Sequence, residues 1–189
     1  MVTIRSALPG DIDAIAAIHT YYVLNTVNSL TAEPRPIAQF QAAYNSITSG
    51  GLPYLVAVDE SSSTVIGYAN AHDFRSDARS AYRFTVEISL FCHPDHRSKG
   101  VGSLMLGSLI SALKDPAGHP ELYHPDARGK GREVKEVMAV MAVDELAEGA
   151  GLRLKAFYES FGFVLRGHLR RVGYKLDRWV DTMYLQLSL

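Results

Sequence analysis

The stretch YRFTVEISLFCHPDHRSKGVGS, residues 82–103, contains a strand pattern, a basic turn with two glycines and the start of a helix pattern in direct succession. Alternating apolar residues predict a strand from Tyr82 to Cys92, and helical spacing predicts a helix from Val101 to Leu113. Arg97 and Lys99 add positive charge where this helix begins, although a helix N-terminus already carries partial positive charge and unpaired N–H groups. We therefore expect an anionic ligand at this turn.

The predicted strand has one apolar and one polar face. The apolar face carries Phe84, Val86, Ile88 and Leu90. The polar face carries Arg83, Thr85, Glu87 and Ser89. A carboxylate buried in mid-strand would have a raised pKa, in the range useful for a general base. Glu87 is therefore a candidate base, but a buried ion pair with Arg83 explains the pattern equally well. Ser89 fits a hydrogen-bonded core position as well as a ligand contact.

The turn itself has the composition of a phosphate-binding loop. Gly100 and Gly102 allow a sharp turn and a close approach of ligand to backbone, so that successive N–H groups can point at phosphate oxygens. The order Arg-Ser-Lys-Gly-Val-Gly is neither a Walker A sequence nor the dinucleotide fingerprint. An ordinary strand-to-helix loop with solvated basic residues is the alternative interpretation.

Tyr158 is the second candidate for chemistry. It lies in a short predicted helix from Leu152 to Ser160, beside several phenylalanines, where an aromatic residue commonly packs in the core. A phenol with an ordinary pKa near 10 stays protonated at neutral pH and can give its proton to a departing thiolate. The spacing leaves core packing and chemistry both open.

Composition limits the class of protein. The chain has 189 residues, 47% hydrophobic composition and a net charge of −1, which predicts one globular domain with no global attraction to nucleic acid or membrane. Cys92 is the single cysteine, so no intrachain disulfide can form and a soluble, cytoplasmic protein is expected. The seven histidines lack the spacing of a zinc site, so no metal is expected.

The rest of the chain alternates strand and helix patterns. Helices are predicted after Asp11 and from Ile37 to Ile47, and residues 114–133, without periodicity, are predicted to form an exposed insertion. The other strands are predicted at Val2–Arg5, Tyr54–Val58, Thr64–His72, Val134–Val143, Phe163–Leu169 and Val180–Leu187, the last after a turn at Asp177–Arg178.

With its flanking strand and helix, the segment HPDHRSKGVG, residues 93–102, resembles the acetyl-CoA-binding motif of the GNAT N-acetyltransferases. Further segments resemble the phosphinothricin acetyltransferase branch of that family from end to end of the chain. They are IRSA (4–7), YYVLNT (21–26), PYLVA (53–57), IGYA (66–69), AYRFTVE (81–87), FGF (161–163) and RVGYKLDRWVD (171–181).

The resemblance implies an α/β GNAT fold, a central mixed, mostly antiparallel, twisted sheet flanked by helices. It also implies acetyl transfer from acetyl-CoA to the amine of a small amino acid or analogue, such as phosphinothricin or methionine sulfone, with Glu87 as general base. Tyr158 stands where many members carry the tyrosine that protonates the thiolate, although this branch often has histidine there. The implied cofactor contacts are Leu90, Phe91, Cys92, Arg97, Ser98, Lys99, Gly100, Val101, Gly102 and Ser103.

Arg75, Arg79 and Arg83, together with Ser89, are candidates for binding the substrate, because guanidinium groups pair well with carboxylate or phosphinate. Members of the family are typically homodimers. The family often has Asn-x-x-Ser where this chain has residues 148–154, EGAGLRL, which departs from the pattern of cofactor contacts. Two other functions stay open: a GNAT enzyme for a polyamine, aminoglycoside or peptide N-terminus, and a non-catalytic acyl-CoA-binding module.

Overall fold

A computed structural model describes residues 1–75, 79–127, 131–144 and 152–189. Seven strands and four α-helices alternate within these ranges. The strands are β1 (Val2–Ser6), β2 (Tyr54–Asp59), β3 (Thr64–Asp73), β4 (Thr85–Cys92), β5 (Glu136–Val143), β6 (Val164–Lys175) and β7 (Arg178–Ser188). The helices are α1 (Ile12–Asn25), α2 (Ile37–Ser49), α3 (Val101–Lys114) and α4 (Leu152–Glu159).

The seven strands form one sheet in the order β1-β2-β3-β4-β5-β7-β6. Five of the six neighbouring pairs are antiparallel, and the β4–β5 pair is parallel. The parallel pair sits at the centre of the sheet, with the crossover through α3 between its strands. The predicted mixed, mostly antiparallel sheet flanked by helices is confirmed.

The two faces of β4 look towards different helices. The odd-numbered side chains Glu87, Ser89 and Phe91 line a cavity together with residues of α1 and α2. On the other face, Leu90 and Cys92 lie close to Gly102 at the start of α3. The predicted alternation of the strand is therefore confirmed from Thr85 onward.

Close packing of α3 against the sheet requires a residue without a side chain on β3. A Cβ atom at Gly67 would lie 2.8 Å from Cε of Met105 and 3.1 Å from the carbonyl oxygen of Phe91. Both Met105 and its helix neighbour Leu106 are fully buried. This contact fixes the height of α3 above β4, and with it the position of the loop that leads into the helix.

Two predicted boundaries are wrong for reasons of strand pairing. The strand predicted from Tyr82 begins at Thr85, because Ser80–Tyr82 form a 3₁₀ turn and pairing with β5 starts only at Thr85. β6 runs on to Lys175, past its predicted end at Leu169. The hairpin turn lies at Leu176–Asp177, whose φ angles of 52° and 57° suit the tight turns that join twisted strands.

The predicted exposed insertion, residues 114–133, is only partly exposed. Leu122, Tyr123 and Ala127 are buried, and the Tyr123 hydroxyl donates to the carbonyl oxygen of Ala112 at 2.8 Å. Leu122 and Ala127 sit in two 3₁₀ turns and Tyr123 directly follows the first, so these side chains show no helical or strand periodicity in the sequence. Residues 128–130 of this segment lie outside the described ranges.

The buried tyrosine provides a test of this correction. Tyr123→Ala should lower the free energy of unfolding by about 3–5 kcal/mol, because it removes a large core side chain and its hydrogen bond. Tyr82→Ala is the matched control, since Tyr82 is 43% exposed and should change stability by under about 1 kcal/mol. Urea denaturation measures both, and equal small effects would contradict the buried position of Tyr123.

Candidate active site

The central feature of the site is an opening between β4 and β5. The parallel ladder joins Thr85–Ile88 to Glu136–Ala139 and then stops. Beyond that point β4 continues to Cys92 paired with β3, while β5 continues to Val143 paired with β7. The two strands therefore diverge within one sheet, and among the described residues the edges facing the gap have no strand partner. An extended ligand can pair with such an edge through its own amide groups.

Residues of three helices, α1, α3 and α4, lie near the end of β4 at this opening. The hydroxyl of Tyr22, on α1, donates to the carbonyl oxygen of Cys92 at 2.6 Å and anchors the end of β4. On the opposite face, a Cβ atom at Gly102 would lie 3.7 Å from the Cys92 sulfur and 3.7 Å from the Phe157 ring. Burial raises the pKa of the Cys92 thiol to about 11, so this cysteine is neutral and not an activated nucleophile.

The loop before α3 has the backbone shape of an anion site. Ser98 and Gly100 have positive φ angles of 59° and 81°, the left-handed conformation found where successive N–H groups converge. No side chain caps the N-terminus of α3, which leaves its first N–H groups for a ligand. Arg97, Ser98, Lys99 and Ser103 are exposed around it. Arg97 is held by a bond from its Nε to the Pro94 carbonyl at 3.2 Å.

Tyr158 lies on α4 near the opening. It is 7% exposed, and its ring makes edge contacts of 5.4 Å with Phe157 and Phe163. Burial, with a further contribution from nearby Cys92, raises the pKa of Tyr158 to about 12. The phenol therefore keeps its proton at any physiological pH. Tyr158 is thus a core residue that keeps its hydroxyl proton beside the strand end.

Glu87 faces a cavity of about 760 Å³ on the α1–α2 face of the sheet. One wall of the cavity consists of three cross-strand pairs between β4 and β3. They are Glu87 with His72, Ser89 with Asn70, and Phe91 with Tyr68. Glu87 is half-buried at this wall, so the expectation of a buried carboxylate is met only in part. The reason is that β4 turns this face to the cavity and not to a packed helix.

The alternative ion pair of Glu87 with Arg83 is not found. Arg83 is exposed and lies over the Phe84 ring, 4.4 Å from its centroid. Within the part of the chain that the structure describes, no side chain pairs with the Glu87 carboxylate. Its oxygens are therefore available to a ligand in the cavity.

The three arginines predicted to bind substrate lie elsewhere. Arg75 lies beside Phe74 at 5.4 Å, and among the described residues neither Arg75, Arg79 nor Arg83 lines the cavity. The arginine at the cavity wall is Arg35, which donates to Thr31 Oγ1 at 3.2 Å in the segment between α1 and α2. The sequence predicts no role for Arg35, because its segment has no periodicity that would place it against β3.

Two more residues of the cavity wall, His19 and Asn70, were not predicted from the sequence. His19 lies on the buried face of α1, where a histidine resembles an ordinary core residue, and Asn70 lies in the middle of β3. The polar alternation of Asn70 with His72 marks one face of β3 and could have revealed the cavity wall. Residues 148–151, in the stretch that departs from the family pattern, lie outside the described ranges.

The described ranges show neither a metal cluster nor a membrane helix. No three His, Cys, Asp or Glu side chains there come together in a way that could hold a metal ion. No helix in the same ranges has the length and apolar character needed to cross a bilayer.

Comparison with known proteins identifies the class. The model of the acetyltransferase (GNAT) family matches residues 16–128. The chain is 34% identical over 187 residues to the phosphinothricin N-acetyltransferase of Alcaligenes faecalis, covering 99% of this chain and 82% of that protein. The L-methionine sulfoximine/L-methionine sulfone acetyltransferase of Salmonella typhimurium is 32% identical over 192 residues, covering 100% of this chain and 95% of that protein.

A solved structure agrees with these relatives. The GNAT superfamily phosphinothricin acetyltransferase from Sinorhizobium meliloti, in complex with AcCoA, superposes with a TM-score of 0.80 at 32% identity, covering 100% of this chain and 88% of that one. The chain therefore belongs to the acetyltransferase (GNAT) family. The predicted fold and the prediction of an acetyl-CoA-dependent acetyltransferase are confirmed at the level of the family.

The left-handed loop provides a test of the cofactor site. Gly100→Ala adds a side chain where φ is +81°, which costs about 1–2 kcal/mol even though no atom lies within 4 Å of the new Cβ. We expect acetyl-CoA to bind roughly tenfold more weakly by calorimetry, because the loop relieves this strain by leaving its binding shape.

Gly10→Ala is the control for that measurement. A Cβ atom at Gly10 also meets nothing within 4 Å, and its φ is not positive. Unchanged affinity in both variants would show that the Gly100 conformation is not needed for binding.

Proposed function

We propose that the protein acetylates the α-amine of a small L-amino acid or amino-acid analogue with acetyl-CoA as donor. The observation that carries this proposal is the position of β4 between the opening towards β5 and the cavity on the α1–α2 face. Its C-terminal edge borders the opening beside the phosphate-type loop, and its other face carries Glu87 into the cavity. Donor and acceptor can therefore meet at one strand from opposite sides.

The cavity supports a small acceptor that carries an anionic or polar group. Its volume of about 760 Å³ is within the usual range for small-molecule sites. Arg35 contributes a positive charge at its wall, where it can pair with the carboxylate of an acceptor. The names of the relatives point in the same direction, to phosphinothricin and to methionine sulfoximine or sulfone.

In the proposed mechanism, Glu87 takes a proton from the incoming amine, directly or through one water. The amine nitrogen attacks the thioester carbonyl, and backbone N–H groups at the end of β4 stabilise the negative charge on its oxygen. As the carbon–sulfur bond breaks, Tyr158 donates to the leaving thiolate. Its pKa of about 12 keeps that proton available throughout.

The proposed cofactor contacts follow from the same geometry. Leu90, Phe91 and Cys92 border the opening and would pair with the amides of the pantetheine arm. Arg97 and Lys99, with the backbone from Ser98 to Ser103, would surround the pyrophosphate, since cations and open N–H groups converge there.

Glu87→Gln tests the general base. The variant should lose about 10²–10⁴-fold in kcat, because glutamine cannot accept the amine proton, while the affinity for acetyl-CoA stays within about twofold. Glu136→Gln is the control: Glu136, on β5, pairs with Thr85 of β4, and its carboxylate accepts from Gln186 and Ser188, outside the cavity. Full turnover by Glu87→Gln would refute the assignment.

The release of free thiol from acetyl-CoA, measured with a panel of amines, tests the function itself. We expect release with small L-amino acids or their analogues. Acetylation of a polyamine, an aminoglycoside or a peptide N-terminus alone would contradict the acceptor class. Binding of acetyl-CoA without release on any amine would instead support a non-catalytic acyl-CoA-binding module.

We further propose that the protein is a homodimer that associates through the β6–β7 hairpin. This hairpin exposes a group of large apolar side chains, and such a patch on a soluble protein often marks an interface. Their exposed fractions are Leu169 45%, Val172 55%, Tyr174 61%, Leu176 48% and Trp179 53%. A cytoplasmic location stays a prediction, based on the single cysteine.

Trp179→Glu tests the dimer. A negative charge within the apolar patch should shift the mass measured by light scattering from two chains to one, at micromolar protein. Ile37→Glu is the control, because Ile37 is 48% exposed at the start of α2, away from the hairpin. A wild-type protein that is monomeric in this measurement would contradict the proposal.

A further inference from the structure

The chain between α1 and α2, residues 26–36, connects the two sides of the split sheet, and we call it the connecting segment. Just before it, the Tyr22 hydroxyl binds the end of β4. Within it, Val27 is fully buried in a small apolar cluster with Ala142 of β5 and Val180 of β7. The connecting segment therefore reaches from the β4 side of the opening to the β5–β7 side.

The connecting segment also forms part of the cavity wall. Its cavity-lining residues are Asn28, Ser29, Leu30, Thr31 and Arg35. All of its residues are described, and none belongs to a helix or strand. Its position therefore depends on individual contacts and not on a regular hydrogen-bond ladder. Because the Arg35 guanidinium donates to Thr31 Oγ1 at 3.2 Å, the position of this charge depends on the same segment.

A buried lysine of β6 holds the connecting segment. Lys175 is only 7% exposed, and its Nζ donates to the carbonyl oxygen of Ser29 and, at 3.5 Å, to that of Tyr22. Within the described ranges no carboxylate forms an ion pair with this ammonium, and burial lowers the pKa of Lys175. Burying a cation without an anion costs free energy, so its hydrogen bonds to these two carbonyl groups must offset that cost.

A second contact joins β6 to the connecting segment. A Cβ atom at Gly173 would lie 3.1 Å from Cδ2 of Leu30. The φ angle of Gly173 is not positive, so the close approach of Leu30, and not the backbone conformation, is what a larger residue would disturb. Positions 173 and 175 are two apart in a strand and share one face. This face of β6 therefore supports the connecting segment at two neighbouring points.

We propose that Lys175 is a positioning residue of the acceptor site, which holds the Ser29 carbonyl and thereby keeps the connecting segment and Arg35 at the cavity wall. The proposal rests on the proposed function, in which the acceptor occupies this cavity. Lys175 itself lies outside the cavity lining and takes no part in the proton transfers. Release of the segment would weaken the binding of the acceptor's carboxylate, whereas Glu87 and Tyr158 lie on other elements and would stay in place.

Lys175→Met tests this role, because methionine keeps an unbranched side chain and removes the ammonium. We expect KM for phosphinothricin to rise about tenfold, since one hydrogen bond from a charged group is lost. The value of kcat and the affinity for acetyl-CoA should stay within about twofold, because the loss concerns acceptor binding only. Lys135→Met is the control: its side chain is 61% exposed, outside the cavity, and KM should not change.

Gly173→Val provides a second test in which no charge is removed. The added side chain pushes against Leu30, while valine is well suited to a strand, so the fold should be retained. We expect KM for phosphinothricin to rise roughly fivefold, the effect of an overpacked contact. Gly167→Val is the matched control on the same strand, because a Cβ atom there meets nothing within 4 Å.

The kinetic constants distinguish positioning from a merely structural role. A smaller folded fraction lowers kcat and leaves KM unchanged, so that result in Lys175→Met, or wild-type values of both constants, would overturn the positioning role while leaving amino-acid acetylation intact. If Lys175→Met does not fold, KM of Gly173→Val decides in the same way. Acetylation of neither phosphinothricin nor any other amino acid by the wild-type enzyme would overturn the proposed function, and the positioning role with it.

Discussion

The separation of β4 from β5 after Ile88 and Ala139 is the constraint on which the rest of the site depends. A parallel ladder that continued to Cys92 would close the sheet and leave no free backbone edge at its centre. Each strand remains stable beyond the split because it keeps its other neighbour, β3 or β7. The sheet therefore exposes unpaired backbone in the interior of the fold without exposing a true edge strand.

This opening also organises the groups around it. The Tyr22 hydroxyl fixes the Cys92 carbonyl, and Gly67 lets α3 approach the sheet closely, so the end of β4 and the start of α3 are held together. Charge is divided between the two sides of the strand. Arg97 and Lys99 are at the loop on one side, whereas the cavity on the other combines Glu87 with Arg35. The proposed negatively charged donor and zwitterionic acceptor would thus occupy separate places.

The sequence predicted the parts of the site that depend on local pattern. The alternation of β4, the glycine-spaced turn and the start of α3 are local features, and they were placed correctly. Glu87 is less buried than expected, because alternation shows which face a residue occupies but not what lies above that face. Arg35, His19 and Asn70 were missed for a related reason: a strand and two helix regions far apart in the chain form the cavity, and only tertiary packing brings them together.

The same distinction explains the insertion. Leu122 and Tyr123 are buried at the end of a 3₁₀ turn and directly after it, and this short, irregular backbone gives no periodic signal, although their apolar side chains were visible in the sequence. The arginines near Glu87 in sequence were natural candidates for substrate binding, yet Arg83 precedes β4 in a turn and packs on Phe84. Sequence proximity to a strand did not translate into the same face of the sheet.

Hydrogen–deuterium exchange with and without acetyl-CoA tests the central claim most directly, because it reports on backbone amides at the opening. If the donor pairs with the free edge of β4 and its phosphates bind the loop, peptides covering residues 89–92 and 97–103 should become protected, while β1 and β2 remain unchanged. Binding of acetyl-CoA with no protection at residues 89–92 would contradict the account.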